Sequence, residues 1–167
     1  MGARPWVTEA VRRTGAVFAE VHYPEAYTAQ QLAHREHVSG HRVAKVVVVY
    51  ADGKPTMLVL PASHRVNFDR LREALKAKEI SLASESEVAG LFPDCETGAE
   101  PPLRHGGLEM LMDREMRVDG DILFNAGTHE DGIMMPFAAW FGLAHPRVEA
   151  FAVEPGRMPP RPAGEED

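Results

Sequence analysis

Cysteine is nearly missing from this sequence, with Cys95 the one thiol in 167 residues. A single thiol excludes an internal disulfide framework and fits a reducing compartment. Long apolar runs are missing too, and no stretch approaches the ~20 residues that cross a bilayer. The N-terminus has no signal-peptide core, because Arg4, Glu9, Arg12 and Arg13 interrupt it. Together these absences predict a cytoplasmic protein with no membrane partner. Nor is there an excess of positive charge. The formal net charge of −7 argues against broad, non-specific nucleic-acid binding, which needs many cationic phosphate contacts. It leaves room for a local basic patch that grips one phosphate-bearing end. Arg12, Arg13, Arg35, Arg42, Lys45, Arg65, Arg70 and Arg72 all lie in the first half, and acidic residues weigh more heavily after Glu79. The usual reading of scattered arginines, a solvated surface, stands beside that one. There is no Gly-x-Ser-x-Gly elbow, phosphate loop, dinucleotide fingerprint or internal repeat.

What is present is the composition of an ordinary soluble globule, 44% hydrophobic and 26% charged. The length suits one domain that can bury a full core without staples. Its most apolar run is Val46-Val47-Val48-Val49-Tyr50, preceded by Arg42-Val43-Ala44-Lys45. Four consecutive β-branched residues predict a strand, and the lack of alternation predicts one covered on both faces. Lys45 stands at its mouth. A cation there either snorkels to water or meets an anionic partner, since an unpaired buried ammonium is costly.

Around that strand the pattern predicts a helix over 5–14, a strand over 15–22 and a helix over 28–38. Asp52-Gly53 predicts a hairpin turn into a returning strand at 56–60. Asn67 is placed to cap a helix over 68–78, and Ser84-x-x-Glu87 matches a capping box after a short strand at 80–82. Residues 93–107, rich in glycine and proline, form a loop; at this length, such loops are more often functional than accidental. Strands follow at 108–112 and 122–125, then a turn over 127–132, a helix through 144 and a last strand at 148–153. Strands and helices mix without a regular βαβ rhythm. The expected class is α+β: a single domain over 1–153, with a mixed sheet or partly closed barrel and surrounding helices. Residues 154–167, proline-rich and acidic, are expected to be a disordered tail.

Three constellations carry possible chemistry. His34-x-x-His37-x-x-x-His41 puts two histidines on one helix face. Ser39-Gly40 would end the helix before His41, and no glutamate sits where a zinc-hydrolase helix needs its base, so surface histidines are the better reading. Cys95 lies between Asp94 and Glu96, which raise rather than lower a thiol pKa, and it looks inert. The third constellation is Lys45 with the loop Gly98-Ala99-Glu100-Pro101-Pro102 and the turn Gly127-Thr128-His129. Taken alone, the loop reads as a rigid turn before it reads as a site, and His129 as a turn histidine.

Taken together, these blocks resemble the YbaK/ProX-type aminoacyl-tRNA editing domain. The resemblance rests on Arg42-Val43-Ala44-Lys45, on Pro93-Asp94-Cys95-Glu96-Thr97-Gly98-Ala99-Glu100-Pro101-Pro102 and on Phe124-Asn125-Ala126-Gly127-Thr128-His129. Pro24-Glu25-Ala26-Tyr27-Thr28 and the order of elements extend it from Gly15 to Pro146. It implies a free-standing deacylase that hydrolyses the ester of a mischarged small amino acid without metal or cofactor. By resemblance, Lys45, Gly98 and His129 are the catalytic residues, and Ala99, Pro102, Gly127 and Thr128 bind substrate. The implied partners are the acceptor end of an aminoacyl-tRNA and a synthetase in trans. Two departures bear on selectivity: Val46, where the family often has a polar residue, and Arg104-His105 just after the Pro-Pro pair.

The chemistry is consistent with these residues. Ester hydrolysis needs an oriented water, donors for the developing oxyanion and a grip on the terminal adenosine. A glycine-containing loop can aim backbone N–H groups at an oxyanion, each worth roughly 3–4 kcal/mol in a dry site. A lysine can neutralise a phosphate or polarise the carbonyl, and the tRNA's own ribose hydroxyl can move the proton. A silent binding module of the same fold and a histidine-based metal hydrolase remain as alternatives.

Overall fold

The computed structural model describes residues 2–23, 40–116 and 119–155. The helix expected over 28–38, with His34 and His37, and the tail from 156 lie outside these residues. Three sheets form among them. A five-stranded mixed sheet has the order β5 (Ile80–Leu82), β2 (Ala44–Ala51), β3 (Lys54–Pro61), β6 (Glu109–Asp113), β9 (Arg147–Glu149). A three-stranded antiparallel sheet has the order β1 (Ala19–His22), β8 (Asp131–Pro136), β7 (Asp121–Asn125). Strands β4 (Arg65–Val66) and β10 (Ala152–Val153) make a third, two-stranded sheet. A single parallel bridge, Val43 to Leu123, joins the first two. The sheets do not close into a barrel, so the mixed-sheet form of the expectation holds.

The valine run explains the layering. Val48 enters one cluster with Met57, Val59, Met110, Met112, Ile122, Phe124, Ile133 and Met135. Val47 and Val49 enter another with Leu58, Leu60, Leu111 and Phe151. Successive strand residues point to opposite faces, and here both faces are covered, as an unbroken apolar run requires. Helices α1 (Pro5–Arg12) and α4 (Phe137–Ala144) close the first cluster through Val7, Val11, Trp140 and Ala144. Helix α2 (Phe68–Leu75) closes the second through Phe68 and Leu71.

Local signals set most boundaries. Asp52 (φ 48°) and Gly53 (φ 81°) make the hairpin turn, both left-handed as a type I′ turn demands. The Asp52 carboxylate accepts from Lys78 N (3.0 Å) and Glu79 N (2.8 Å), tying the turn to the start of β5. Those two backbone N–H groups, Glu79 first, hold its pKa below the ordinary value. Asn67 caps α2 by accepting from Arg70 N at 3.0 Å, and Lys76 (φ 53°) ends it. The helix is therefore three residues shorter than the 68–78 expected. Ser84 and Glu87 form the capping box of α3 (Glu85–Leu91). Pro136 is the N-cap of α4.

Two expectations fail for non-local reasons. The strand foreseen over 15–22 shortens to Ala19–His22, because the ladder with β8 starts at Ala19. Upstream, Gly15 turns left-handed and Val17 is 91% exposed. The strand foreseen over 148–153 splits into β9 and β10. Buried Asp113 accepts from both Phe151 N and Ala152 N at 2.8 Å, drawing the chain off β6 and onto β4.

Candidate active site

The expected loop and turn meet. Between β7 and β8 the chain reverses through Ala126–Glu130, closed by Ala126 N to Asp131 O at 2.9 Å. The 93–107 loop grips this turn from both sides. Glu96 N donates to Gly127 O (2.8 Å) and Gly127 N donates to Ala99 O (3.0 Å). The Glu96 carboxylate accepts from His129 N at 2.7 Å, and His129 Nε2 donates to Thr97 O at 2.9 Å. His129 thus engages the loop through both backbone and ring, which fixes the proton on Nε2. Gly98 has φ 91°, and a Cβ built there would lie 3.3 Å from His129 Cε1.

Beneath the turn, a polar chain runs to the edge of the sheet. Thr128 Oγ1 donates to Asp131 Oδ2 at 2.5 Å, and Asp131 Oδ1 faces His22 Nδ1 at 3.0 Å. Arg4 supports the other side: its N–H donates to Ala126 O at 3.0 Å. Its stem lies so close to Gly127 that a Cβ there would be 2.3 Å from Arg4 Cγ. Gly127, at φ 97°, is therefore required by both conformation and space. Ala99 and Thr128 are buried at 0% and 3% exposure. Pro102 is buried as well, its carbonyl accepting from Trp140 Nε1 at 2.8 Å. These three lie beneath the surface, and Gly98 and His129 reach it.

One backbone donor of the turn stands apart from the rest. The N–H groups of Ala126, Gly127, His129, Glu130 and Asp131 all have protein acceptors. Thr128 N–H is the one without an acceptor among the described residues. Gly98 N–H, the expected oxyanion donor, is instead taken by the Glu100 carboxylate at 3.1 and 3.2 Å. A buried N–H is seldom left unpaired, which makes Thr128 N–H the backbone donor of the turn open to a ligand.

Lys45 is half-buried, and its backbone pairs with Leu60 of β3. Alternation puts it on the face of Val43 and Val47. The isolated parallel bridge from Val43 to Leu123 brings the entry to β2 beside β7, which ends at Asn125. Asn125 is 6% exposed, and its Oδ1 has no partner among the described residues. It is the residue just before the turn. Phe92, Leu103 and Ala126 of the first cluster lie along the loop and turn. Sequence reasoning missed Asn125, Asp131 and Arg4. Asn125 stood inside a quoted block, but its orphaned oxygen is visible only in three dimensions.

A sequence model of the aminoacyl-tRNA editing domain matches residues 23–140. The chain belongs to that family. All three sequence blocks fall within the match. The editing domain is 29% identical over 119 residues to the proline–tRNA ligase of Staphylococcus saprophyticus, covering 68% of this chain and 19% of the relative. It is 25% identical over 107 residues to the proline–tRNA ligase of Oleidesulfovibrio alaskensis, covering 64% and 18%. The chain spans about a fifth of the length of these relatives. Among solved structures, a hypothetical protein superposes with a TM-score of 0.78 at 19% identity, covering 88% of this chain and 99% of that one. A protein described as a proposed trans-editing enzyme for prolyl tRNA synthetase superposes with a TM-score of 0.73 at 17% identity, covering 86% and 97%. At such identities the superpositions show the fold alone. No helix among the described residues is long and apolar enough to cross a membrane.

Two ionisable groups of the 93–107 loop are shifted. Burial, then the neighbouring Asp94, pushes the Cys95 thiol up to about 12, which removes it as a nucleophile. Burial raises the Glu100 carboxyl, outweighing the N–H groups of its own backbone and of Gly98 that act to lower it. A folded-state pKa above the unfolded one means the fold prefers the neutral acid. That stabilisation is full below the unfolded pKa and is lost as pH rises through the folded one. Glu100→Gln should therefore melt above the parent at pH ~8 and lose that advantage as pH falls toward ~4. Thermal melts of both proteins across that range check it. A variant less stable at every pH would show that the carboxylate's bond to Gly98 outweighs its burial.

Proposed function

We propose that this editing domain hydrolyses the ester of a tRNA carrying a small, wrong amino acid, with no metal in the reaction. Membership of the editing family, across residues 23–140, is the observation that carries the reading. In the step proposed, water adds to the ester carbonyl, the acyl–oxygen bond breaks, and the products are free amino acid and tRNA with its terminal hydroxyl restored. Lys45 supplies positive charge to the terminal phosphate or the carbonyl oxygen. Thr128 N–H donates to the developing oxyanion, and Asn125 Oδ1 accepts from the substrate's amino group or ribose hydroxyl. The adjacent ribose hydroxyl carries the proton, so neither Cys95 nor His129 Nε2 is asked to act as base. His129 holds the Gly98 loop against the turn.

Size selection follows from that rigidity. A wall of backbone braced by four hydrogen bonds between loop and turn excludes bulky side chains firmly. Discrimination against smaller ones is weak, only ~1–3 kcal/mol per methylene. The relatives named as proline–tRNA ligases make prolyl tRNA the first substrate backbone to try. The test is a panel of that tRNA charged with alanine, serine, cysteine or proline. Alanine, serine and cysteine should be released and proline retained, at rates unchanged by chelator. Binding without release would make the chain a silent module. Loss of activity with chelator and its return with zinc would make it a metal hydrolase.

A further inference from the structure

A second cluster lies away from the loop and turn. His41, in the single helical turn Gly40–Arg42, His64, between β3 and β4, and Glu154, just past β10, bring their ligand atoms within 4.8 Å of one another. The two rings meet edge to face with centroids 5.0 Å apart. His64 is 3% exposed, and its Nδ1 is engaged by Ser63 Oγ at 3.0 Å, which leaves Nε2 for a ligand. A hydrogen bond on the far ring nitrogen is what usually orients a metal-bound histidine. Glu154, Asp113 and Glu115 all bear on His64 as negative charges, a field that favours a cation. This set shares only His41 with the histidine run visible in the sequence, since His64 and Glu154 arrive from distant segments.

We propose that His41, His64 and Glu154 form a binding site for one divalent cation of the zinc class, with solvent as the remaining ligand. Two imidazoles and one carboxylate with an open position are a donor set that Zn²⁺ accepts. The ion would fasten the segment after β10 and the β3–β4 turn to the turn that feeds Lys45. It takes no part in the deacylation proposed above, so either proposal can fail alone.

The test uses the whole chain, stripped with chelator and titrated with zinc chloride alone by calorimetry and thermal melting. One ion per chain should bind, and the melting temperature should rise until the site is filled. Co²⁺ should give the visible absorption of a tetrahedral centre. His41→Gln and Glu154→Gln, both at half-buried positions, should each weaken binding at least ~10-fold. His64→Gln should abolish it; should that buried change prevent folding, the other two variants decide. Substoichiometric binding, or affinity unchanged in His41→Gln and Glu154→Gln, would overturn the proposal.

Discussion

Lys45→Ala should lower deacylation by about 10²–10³-fold, the scale of removing one group that stabilises transition-state charge. Its melting temperature should move by only a few degrees. Strand β2 does not depend on this side chain: backbone pairing with β3 runs from Ala44–Pro61 to Ala51–Lys54, and the valines on both sides fill two cores. What the alanine removes is part of a half-buried alkyl stem and one positive charge. Lys45→Arg keeps the charge but replaces a compact ammonium with a planar fork, so partial activity is expected. Deacylation and melting measured on the same preparations check this. A Lys45→Ala protein working at the parental rate would reduce Lys45 to a snorkelling cation.

The second large effect is at Gly98. Alanine is harmless at negative φ and strained at positive φ, and Gly98 sits at 91°. A left-handed non-glycine residue costs roughly 1–2 kcal/mol. The added methyl also comes within 3.3 Å of His129 Cε1, tight enough that the ring must shift. Since that ring holds Thr97 O, the strain passes into the loop that walls the site. Gly98→Ala should therefore lose activity sharply and also melt lower, by ~2–8 °C for a domain of this size. Lost activity at an unchanged melting temperature would mean that the turn is not strained. Full activity with a lower melting temperature would mean that Gly98 serves only the turn.

Features settled by neighbours in sequence were legible beforehand. The Asp52-Gly53 turn, the Asn67 cap and the Ser84–Glu87 box each close on themselves within four residues. The valine run announced a strand covered on both faces, because burial on two sides leaves no polar alternation. Features settled by remote partners were not legible. Asp113 splits the final strand from 38 residues away, and His22 meets Asp131 across 109. The site shows the same division. Its blocks were recognisable as strings, and the structure joins two of them through the Glu96, Ala99, Gly127 and His129 hydrogen bonds. That Gly98 N–H is occupied and Thr128 N–H is available depends on where the Glu100 carboxylate folds back, which no spacing rule reveals. Asn125 reads as an ordinary end-of-strand residue until its burial and unpaired oxygen are seen.

The most direct measurement is the single-turnover release of labelled alanine from alanyl-tRNA of the proline type, with chelator present, set beside prolyl-tRNA. Release of alanine by the parent, with prolyl-tRNA left charged and Lys45→Ala near the uncatalysed rate, is the predicted result. Alanine released no faster than in buffer, by a protein whose melting shows it folded, would contradict it.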